Sequence, residues 1–216
     1  MQAGVIRFLG NVVRTKAPEI LLYSDEKMDW MTKDRTFFLK WASLMNECVK
    51  QGTRIRIIHN IGRSLDEMID AINSWLPLYM SGMVEPYYPK KQSVSCFTHT
   101  LFVCPGRFCM EGYNVADAKY DNIYRFDDSK ECLEHAKASY DKLLKSSAPL
   151  ITFNRIDANA TRDDSSIIRF DKIRLSVGEN VVMVYNINHP VSFLFTHPLM
   201  CRSFKAYAAQ YTKDAK

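Results

Sequence analysis

The sequence predicts an α/β protein whose mixed, largely parallel sheet is flanked by helices. Residues 19–88 read as strand, helix, strand, helix and strand, an alternation typical of parallel strands joined by helical crossovers. Three short strand patterns and a helix pattern follow in 151–216. We therefore expect three parts: a connector helix in 1–18, an α/β domain in 19–150 and a C-terminal β-β-β-α annex in 151–216.

The composition is that of a folded, soluble protein. Of the 216 residues, 47% are hydrophobic and 25% are charged, which supplies enough apolar surface for a core. The sequence has neither a run of about 18 apolar residues nor a secretory signal pattern. Its six cysteines form no C-x-x-C pair. We therefore expect a cytoplasmic protein with free thiols, no membrane partner, and no cofactor or metal.

Helix and strand patterns follow one another through the first half of the chain. Val5, Phe8, Leu9 and Val12 have helical spacing within 4–13. The later elements are predicted from apolar runs and from helix start and stop signals. They are a strand at 19–24, a helix at 36–50, a strand at 54–59, a helix from Ser64 to Leu76 that opens on a Ser64–Glu67 capping box, and a strand at 83–88.

After Lys91 the pattern changes to shorter strands. The Pro105-Gly106 pair predicts a tight turn between two of them. The predicted elements are strands at 100–104, 107–113 and 123–126, a helix at 129–145, strands at 172–177, 181–187 and 191–196, and a helix after Pro198. The polar segment 154–166 is expected to be a connection without regular structure.

Polar and aromatic side chains gather where the predicted parallel strands end. Ligands of open parallel sheets bind beyond the carboxyl ends of the strands, and carboxylates, imidazole, guanidinium and aromatic rings together suit a small polar molecule. The candidate ligand-binding set is Ser24, Asp25, Glu26, Trp30, His59, Asn60, Arg63, Tyr87, Tyr88 and His99. The alternative is that Asp25 and Glu26 cap the next segment while Trp30 and the tyrosines pack at the rim.

Searches for catalytic motifs in the sequence find none. G-x-S-x-G, the phosphate-binding G-x-x-x-x-G-K-[ST] and the dinucleotide-binding G-x-G-x-x-G are all absent. The histidines His99, His135, His189 and His197 lie in different predicted elements, so they are not expected to share a metal. These observations favour a binding protein over an enzyme.

Several stretches of the chain carry a resemblance to a known family. They are Leu21-Leu-Tyr-Ser-Asp-Glu-Lys-Met-Asp-Trp-Met31, Arg54-Ile-Arg-Ile-Ile-His-Asn-Ile61, Trp75-Leu-Pro-Leu-Tyr-Met80, Glu85-Pro-Tyr-Tyr88 and Ser176-Val-Gly-Glu-Asn180. They resemble the C-terminal effector region of bacterial helix-turn-helix regulators of the Xre/Cro type. The resemblance implies a region that senses an unknown small-molecule effector and forms a homodimer. It also implies that DNA is bound only through a helix-turn-helix unit absent from this chain, with the helix at 4–13 as the connector to that unit.

The order of elements also resembles one half of a phospholipase D-like fold. Enzymes of that fold use His-x-Lys, then Asp, then a Gly-Ser-x-Asn-like segment on neighbouring strands. When the pattern is aligned on His99, Leu101 occupies the Lys position and Gly106 the Asp position. Gly112-Tyr113-Asn114 matches the last segment only in part. Without a lysine to hold a phosphate, the resemblance implies a sheet that is kept for binding after catalysis has been lost.

Two other functions stay open at this point. One is a phosphodiesterase or nuclease that uses His99 or His59. The other is direct nucleic-acid binding through basic and aromatic side chains on one exposed face. The residues for this second alternative are Arg54, Arg56, Lys90 and Lys91 with Tyr87 and Tyr88.

Overall fold

The computed structural model describes most of the first 150 residues and only the strands after them. The described ranges are 1–26, 34–59, 75, 78–79, 81–90, 96–116 and 122–150, with the backbone of five strands between 151 and 195. The chain divides into two compact units, one formed by 1–62 and 77–148 and the other by 63–76 and 149–216.

Those predicted elements of the first half that fall within the described residues are present, with small changes in their bounds. The described helices are α1 (Gln2–Thr15), α2 (Arg35–Lys50) and α3 (Lys130–Lys145). The first seven strands are β1 (Glu19–Ser24), β2 (Arg54–His59), β3 (Val84–Pro89), β4 (Phe97–Cys104), β5 (Phe108–Val115), β6 (Arg125–Asp127) and β7 (Ser147–Pro149). The helix predicted from Ser64 to Leu76 lies outside the described residues, apart from Trp75.

The seven strands form one mixed sheet in the order β6-β5-β4-β1-β2-β3-β7. Strand β2 pairs in parallel with both β1 and β3, as the alternation of strands and helices predicts. The expectation of a largely parallel sheet is wrong, because β1–β4, β4–β5 and β5–β6 are all antiparallel. The tight turn at Pro105-Gly106 returns β5 against β4, and β4 itself runs against the central strand β1.

Local hydrogen bonds explain where several elements begin and end. Asp34 caps α2, and its side chain accepts a hydrogen bond from the backbone N–H of Phe37 at 3.0 Å. Helix α1 ends at Lys16, whose φ of 48° is left-handed. The buried Thr53 hydroxyl then donates to the carbonyl of Ala17 at 2.7 Å, which holds the start of β2 beside the start of β1.

Alternation along the strands separates two hydrophobic layers. On one face, α1 packs on β4 and β5, where the Phe8 ring meets the rings of Phe102 and Phe108 edge-on. We call this the α1 face. On the other face, the α3 residues Leu133, Ala136 and Tyr140 pack in one buried cluster with strand residues, and we call it the α3 face. The strand residues of that cluster are Leu21, Ile58, Leu101, Val103 and Cys109.

The second unit contains a five-stranded antiparallel sheet in the order β8-β12-β11-β10-β9. Its strands are β8 (Ile151–Arg155), β9 (Ile167–Phe170), β10 (Ile173–Val177), β11 (Val182–Asn186) and β12 (Val191–Phe195). The last three were predicted from the sequence, whereas β8 and β9 were not. Strand β8 overlaps the first two residues of the polar segment 154–166, where no regular structure was expected, and β9 directly follows that segment. The helix predicted after Pro198 lies outside the described residues.

Within the described ranges, the structure has no helix that is long and apolar enough to cross a membrane.

Candidate functional site

Several of the predicted site residues meet at one edge of the seven-stranded sheet. Ser24, at the end of β1, is opposite His59 at the end of β2 and opposite Thr100 near the start of β4. His99 precedes Thr100, and Tyr87 lies near the end of β3, opposite Ile58. The edge therefore combines the carboxyl ends of the three parallel strands with the first half of β4. Trp30, Asn60 and Arg63 lie outside the described residues.

The sheet divides these residues between its two faces. Cross-strand partners share a face, so Ser24 and His59 lie on the α1 face, together with Thr100. Tyr87 packs against the buried cluster of the α3 face, and alternation along β4 places His99 on that face as well. The described members of the predicted set therefore fall into two groups of side chains, one on each face of the sheet.

On the α1 face, Glu26 is the centre of a buried hydrogen-bond network. Its side chain is only 7% exposed. Its carboxylate accepts hydrogen bonds from the Thr100 hydroxyl at 3.0 Å, from the Asn114 amide at 3.3 Å, and from the Tyr124 hydroxyl at 2.6 and 2.7 Å to its two oxygens. The Ser24 hydroxyl is 2.9 Å from that of Thr100. A buried carboxylate with this many donors is well satisfied and ties β1, β4, β5 and the segment before β6 together.

Tyr124 reaches Glu26 by crossing over Gly112 on β5. A Cβ atom at Gly112 would lie 2.7 Å from Cδ1 of Tyr124 and 2.8 Å from the carbonyl oxygen of Ile123. Only glycine leaves room for this crossing. Burial, together with the hydrogen bond and charge of Glu26, raises the pKa of Tyr124.

His59 is hydrogen-bonded to a buried tyrosine on the α1 face. The Tyr79 hydroxyl lies 2.6 Å from Nε2 of His59, and the two rings meet edge-on. Burial raises the pKa of Tyr79. The Tyr79 hydroxyl therefore stays neutral and holds the imidazole at the end of β2.

On the α3 face, His99 lies within a cluster of rings and carboxylates that is open to solvent. Its ring is stacked on that of Tyr113, with centroids 4.1 Å apart and planes 6° from parallel, and meets the Tyr23 ring edge-on. Nε2 of His99 lies 3.0 Å from Glu111 Oε1. Tyr113 is 66% exposed, whereas the His99 side chain is 17% and that of Glu111 31% exposed. We call Tyr23, Asp25, His99, Glu111 and Tyr113 the His99 cluster.

Asp25 holds the His99 cluster to the end of β1. Its backbone N–H donates to the carbonyl of His99 at 3.2 Å, and its Oδ1 accepts from the His99 backbone N–H at 2.6 Å. Its Oδ2 accepts from the Tyr23 hydroxyl at 3.3 Å. Burial and then the charge of Asp25 raise the pKa of Tyr23, while burial and then Glu111 raise the pKa of Tyr113. Both hydroxyls are therefore neutral donors at ordinary pH.

The arginines proposed for nucleic-acid binding lie near the opposite end of β2 and are paired with carboxylates. Arg56 contacts Glu19 and Glu85, each at 3.2 Å, and Arg54 contacts Glu85 at 3.4 Å. The Tyr87 hydroxyl also donates to Glu85, at 3.3 Å. These contacts form a cross-strand ladder of opposite charges, which leaves little uncompensated positive charge for a phosphate backbone.

The nucleic-acid-binding alternative also includes Tyr88, Lys90 and Lys91. Lys90 is exposed, and its backbone N–H donates to the carbonyl of Ser146. Tyr88 is half-buried at the end of β3, and Lys91 lies outside the described residues.

Sequence reasoning missed the partners that define both groups of side chains. Thr100, Asn114 and Tyr124 were not predicted as partners of Glu26, and Glu111 and Tyr113 were not predicted as partners of His99. One signal for the second pair was available: Glu111 and Tyr113 alternate with Gly112 in a strand, so both must lie on one face. The register that brings them to His99 cannot be read from either strand alone.

The residues around the edge do not assemble a metal centre in the part of the chain that the structure describes. Within it, no three His, Cys, Asp or Glu side chains are grouped closely enough to hold a metal ion. Comparison with models of known protein families and with curated proteins finds no match to this chain.

Proposed function

We propose that this chain is the ligand-sensing region of a bacterial transcriptional regulator and that it binds its effector without catalysing a reaction. The observation that carries the proposal is the His99 cluster. It presents an exposed aromatic ring, a carboxylate and an imidazole at the edge where α/β sheets bind small molecules. These groups are held in place by Asp25 and by each other, which lowers the conformational entropy that binding would otherwise cost.

The shape and chemistry of the cluster suit a small, planar, polar ligand. The exposed Tyr113 ring offers a stacking surface, and Glu111, which is one-third exposed, offers an acceptor for an N–H or O–H donor. Such a ligand would lie at the rim of the cluster, because His99 and Tyr113 are already stacked on each other.

Among the described residues, none of the contacts of His99 is with a lysine or an arginine that could hold a phosphate, and this supports binding over phosphodiester cleavage. The pattern of phospholipase D-like enzymes would place a lysine at position 101, where this chain has a fully buried leucine within the α3-face cluster. The imidazole has Glu111 as a neighbour, and a carboxylate repels a phosphate oxygen rather than holding it.

The position of α1 suggests how binding would be transmitted. Helix α1 packs on β4 and β5, and the other face of these two strands carries His99, Glu111 and Tyr113. In the proposal the protein is a homodimer, and a ligand at the cluster favours one arrangement of α1, which repositions an attached DNA-binding unit.

A thermal-shift screen of small polar metabolites tests the binding step. A ligand present at 100 times its Kd stabilises a protein by about 2.7 kcal/mol, which raises the Tm by several degrees for a chain of this size. We expect Tyr113→Ala and Glu111→Gln to abolish the shift. Leu39→Ala is the matched control, because Leu39 is an exposed apolar residue on α2, and it should respond as the wild type does.

Two results would contradict the proposal. One is a ligand-induced shift that survives in both Tyr113→Ala and Glu111→Gln. The other is hydrolysis of a generic phosphodiester by the wild type but not by His99→Ala, which would instead support the phosphodiesterase alternative. Light scattering during size-exclusion chromatography tests whether the protein is a homodimer. A monomeric mass both with and without ligand would contradict the proposed dimer.

A further inference from the structure

Most of the large apolar side chains that are exposed in the described part of the chain lie at one end of β4 and β5. Phe97, Tyr113, Val115 and Ile123 are between 58% and 66% exposed, and Leu39 on α2 is the remaining one. Phe97 is the cross-strand partner of Val115, which lies two residues after Tyr113, so these three project from the α3 face. A cluster of exposed apolar side chains indicates a surface where another molecule binds.

Beside these side chains, the backbone of β5 has an open edge. Strand β6 pairs only with Cys109–Glu111, whereas β5 continues to Val115. The Ala116 N–H donates to the carbonyl of Cys96, just before β4. Because backbone groups alternate in direction along an antiparallel strand, those of Tyr113 and Val115 point away from β4. Within the described residues, no hydrogen bond reaches these outward N–H and C=O groups.

The segment that leads into β6 leaves this edge uncovered, because it crosses the α1 face of β5. The carbonyl oxygen of Ile123 is 2.8 Å from the position of a Cβ atom on Gly112, and the Ile123 N–H donates to the Asn114 side chain at 2.9 Å. Gly112 is opposite Thr100, which lies on the α1 face. The segment therefore passes over the sheet rather than beside it, and β5 has no neighbouring strand at 112–115 among the described residues.

The open edge lacks the features by which proteins usually prevent strand pairing. Those features are charged side chains and proline, and the segment Gly112-Tyr-Asn-Val115 contains neither. The two outermost strands of the sheet have them, since β6 carries Arg125 and Asp127 and β7 ends at Pro149. Two copies of a chain with a net charge of +5 repel each other, so an uncharged edge is the surface that suits a second copy.

We propose that two copies of this chain form a homodimer by pairing their β5 edges in antiparallel fashion across a two-fold axis. With the axis at Asn114, Tyr113 of each copy lies opposite the partner's Val115, and each such pair exchanges backbone hydrogen bonds through its outward N–H and C=O groups. An aromatic ring facing a β-branched side chain is a favourable cross-strand pair. The same pairing covers apolar side chains that are exposed in the single chain.

The interface would border the His99 cluster, because Tyr113 belongs to both. A ligand at the rim of the cluster would then lie next to the second copy, which gives ligand binding a direct route to the arrangement of the dimer. The inference rests on the homodimer of the proposed function, to which it assigns a surface, and it does not depend on the ligand.

Light scattering during size-exclusion chromatography of the full chain tests the surface. We expect the wild type to have twice the 25.0 kDa mass of one chain. At the same concentration Val115→Lys should have the mass of a single chain, since lysine at an open edge opposes pairing. Val115→Pro should do the same, because it removes an outward N–H and keeps the bonds to β4. Leu39→Lys is the matched control: it changes a similarly exposed apolar residue on α2 and should remain a dimer.

Hydrogen exchange of the wild type locates the interface independently of any substitution. The amides of Tyr113 and Val115 should exchange about tenfold more slowly, or slower still, in the dimer than after dilution to the monomer, because pairing protects them. The amides of α2 should exchange at the same rate in both states. Circular dichroism verifies the fold of each variant, and the wild-type exchange keeps the test decisive if Val115→Pro does not fold.

The proposal is overturned by a wild type that has the mass of one chain at every concentration. It is also overturned by a dimer that persists in both Val115 variants and leaves the Tyr113 amide unprotected, and this result would move the homodimer of the proposed function to another surface. Neither result bears on the ligand-induced change in Tm, so failure of the interface is distinguishable from failure of ligand sensing.

Discussion

Two glutamates lie on opposite faces of the same sheet edge and have opposite surroundings. Glu26, on the α1 face, is buried and receives hydrogen bonds from three side chains. Glu111, on the α3 face, is one-third exposed and lies beside an imidazole and an exposed tyrosine ring. A carboxylate near this edge of the sheet thus contributes to folding when it is enclosed by donors, and is available to a ligand when solvent reaches it.

Glu26→Ala should produce the largest loss of stability. The substitution removes the acceptor of the buried Thr100 and Asn114 donors and of the half-buried Tyr124 hydroxyl, and each unsatisfied buried group costs about 1–3 kcal/mol. We expect the free energy of unfolding to fall by about 3 kcal/mol or more in urea denaturation. Glu111→Ala is the matched control and should lower the free energy of unfolding by less than about 1 kcal/mol. Equal losses of stability in the two variants would contradict the distinction between the two faces.

Gly112→Ala should produce the second largest loss of stability, and this loss should arise on the α1 face alone. The added methyl would collide with the Tyr124 ring and the Ile123 carbonyl, and overpacking of this kind costs about 1–3 kcal/mol. Gly10→Ala is the control: Gly10 lies within α1, a Cβ there meets no atom within 4 Å, and the change should stabilise the helix by about 0.5–1 kcal/mol. A Tm for Gly112→Ala at or above that of the wild type would show that Tyr124 does not need to cross this position.

Alkaline titration should separate the two faces through their tyrosines. Glu26 contributes to the raised pKa of Tyr124, and Glu111 contributes to that of Tyr113. Because the folded protein keeps these protons after the unfolded chain has lost them, their contribution to stability is complete below about pH 10 and is lost as the pH rises through the folded pKa values.

We expect Glu26→Gln to lower the pKa of Tyr124 and Glu111→Gln to lower that of Tyr113. The measurement is the ultraviolet absorbance of tyrosinate, with Tyr124→Phe and Tyr113→Phe as references that identify each transition. An unchanged transition for Tyr124 in Glu26→Gln would contradict the network described on the α1 face.

Arg54→Ala should have the smallest effect, because it acts far from the edge. Arg54 is 58% exposed, and its contact with Glu85 is 3.4 Å long, so we expect a change within about 0.5 kcal/mol. Arg56→Ala should lower the free energy of unfolding by more, because Arg56 is less exposed and contacts two carboxylates. Salt-sensitive binding of DNA by the wild type that is lost in Arg54→Ala would revive the nucleic-acid alternative.

The strands of this protein were easier to predict than their directions. The strands 19–24 and 54–59 are found at the predicted residues, because each is a short apolar or β-branched run between polar or turn residues. The sequence overestimates the proportion of parallel strand pairs, because it does not show that β4 lies beside β1 and runs antiparallel to it. That choice is made by packing and leaves no pattern within 97–104.

The candidate site was predicted at the correct edge for several residues but without its faces. Strand ends identify the edge, as Ser24 and His59 illustrate, because the carboxyl ends of parallel strands coincide. A shift of one residue moves a side chain to the other face, and so Glu26 and His99 could be assigned to one cluster from sequence although the sheet separates their surroundings. Their partners on β5 depend on cross-strand register, which only the folded chain supplies.

The most direct test of this account is the ligand-induced change in Tm, measured side by side in Glu26→Gln and Glu111→Gln. We predict that Glu26→Gln lowers the Tm of the free protein and keeps the ligand-induced rise. We predict that Glu111→Gln keeps the Tm of the free protein and loses the rise. A rise that disappears in Glu26→Gln and persists in Glu111→Gln would show that the effector is recognised on the α1 face instead.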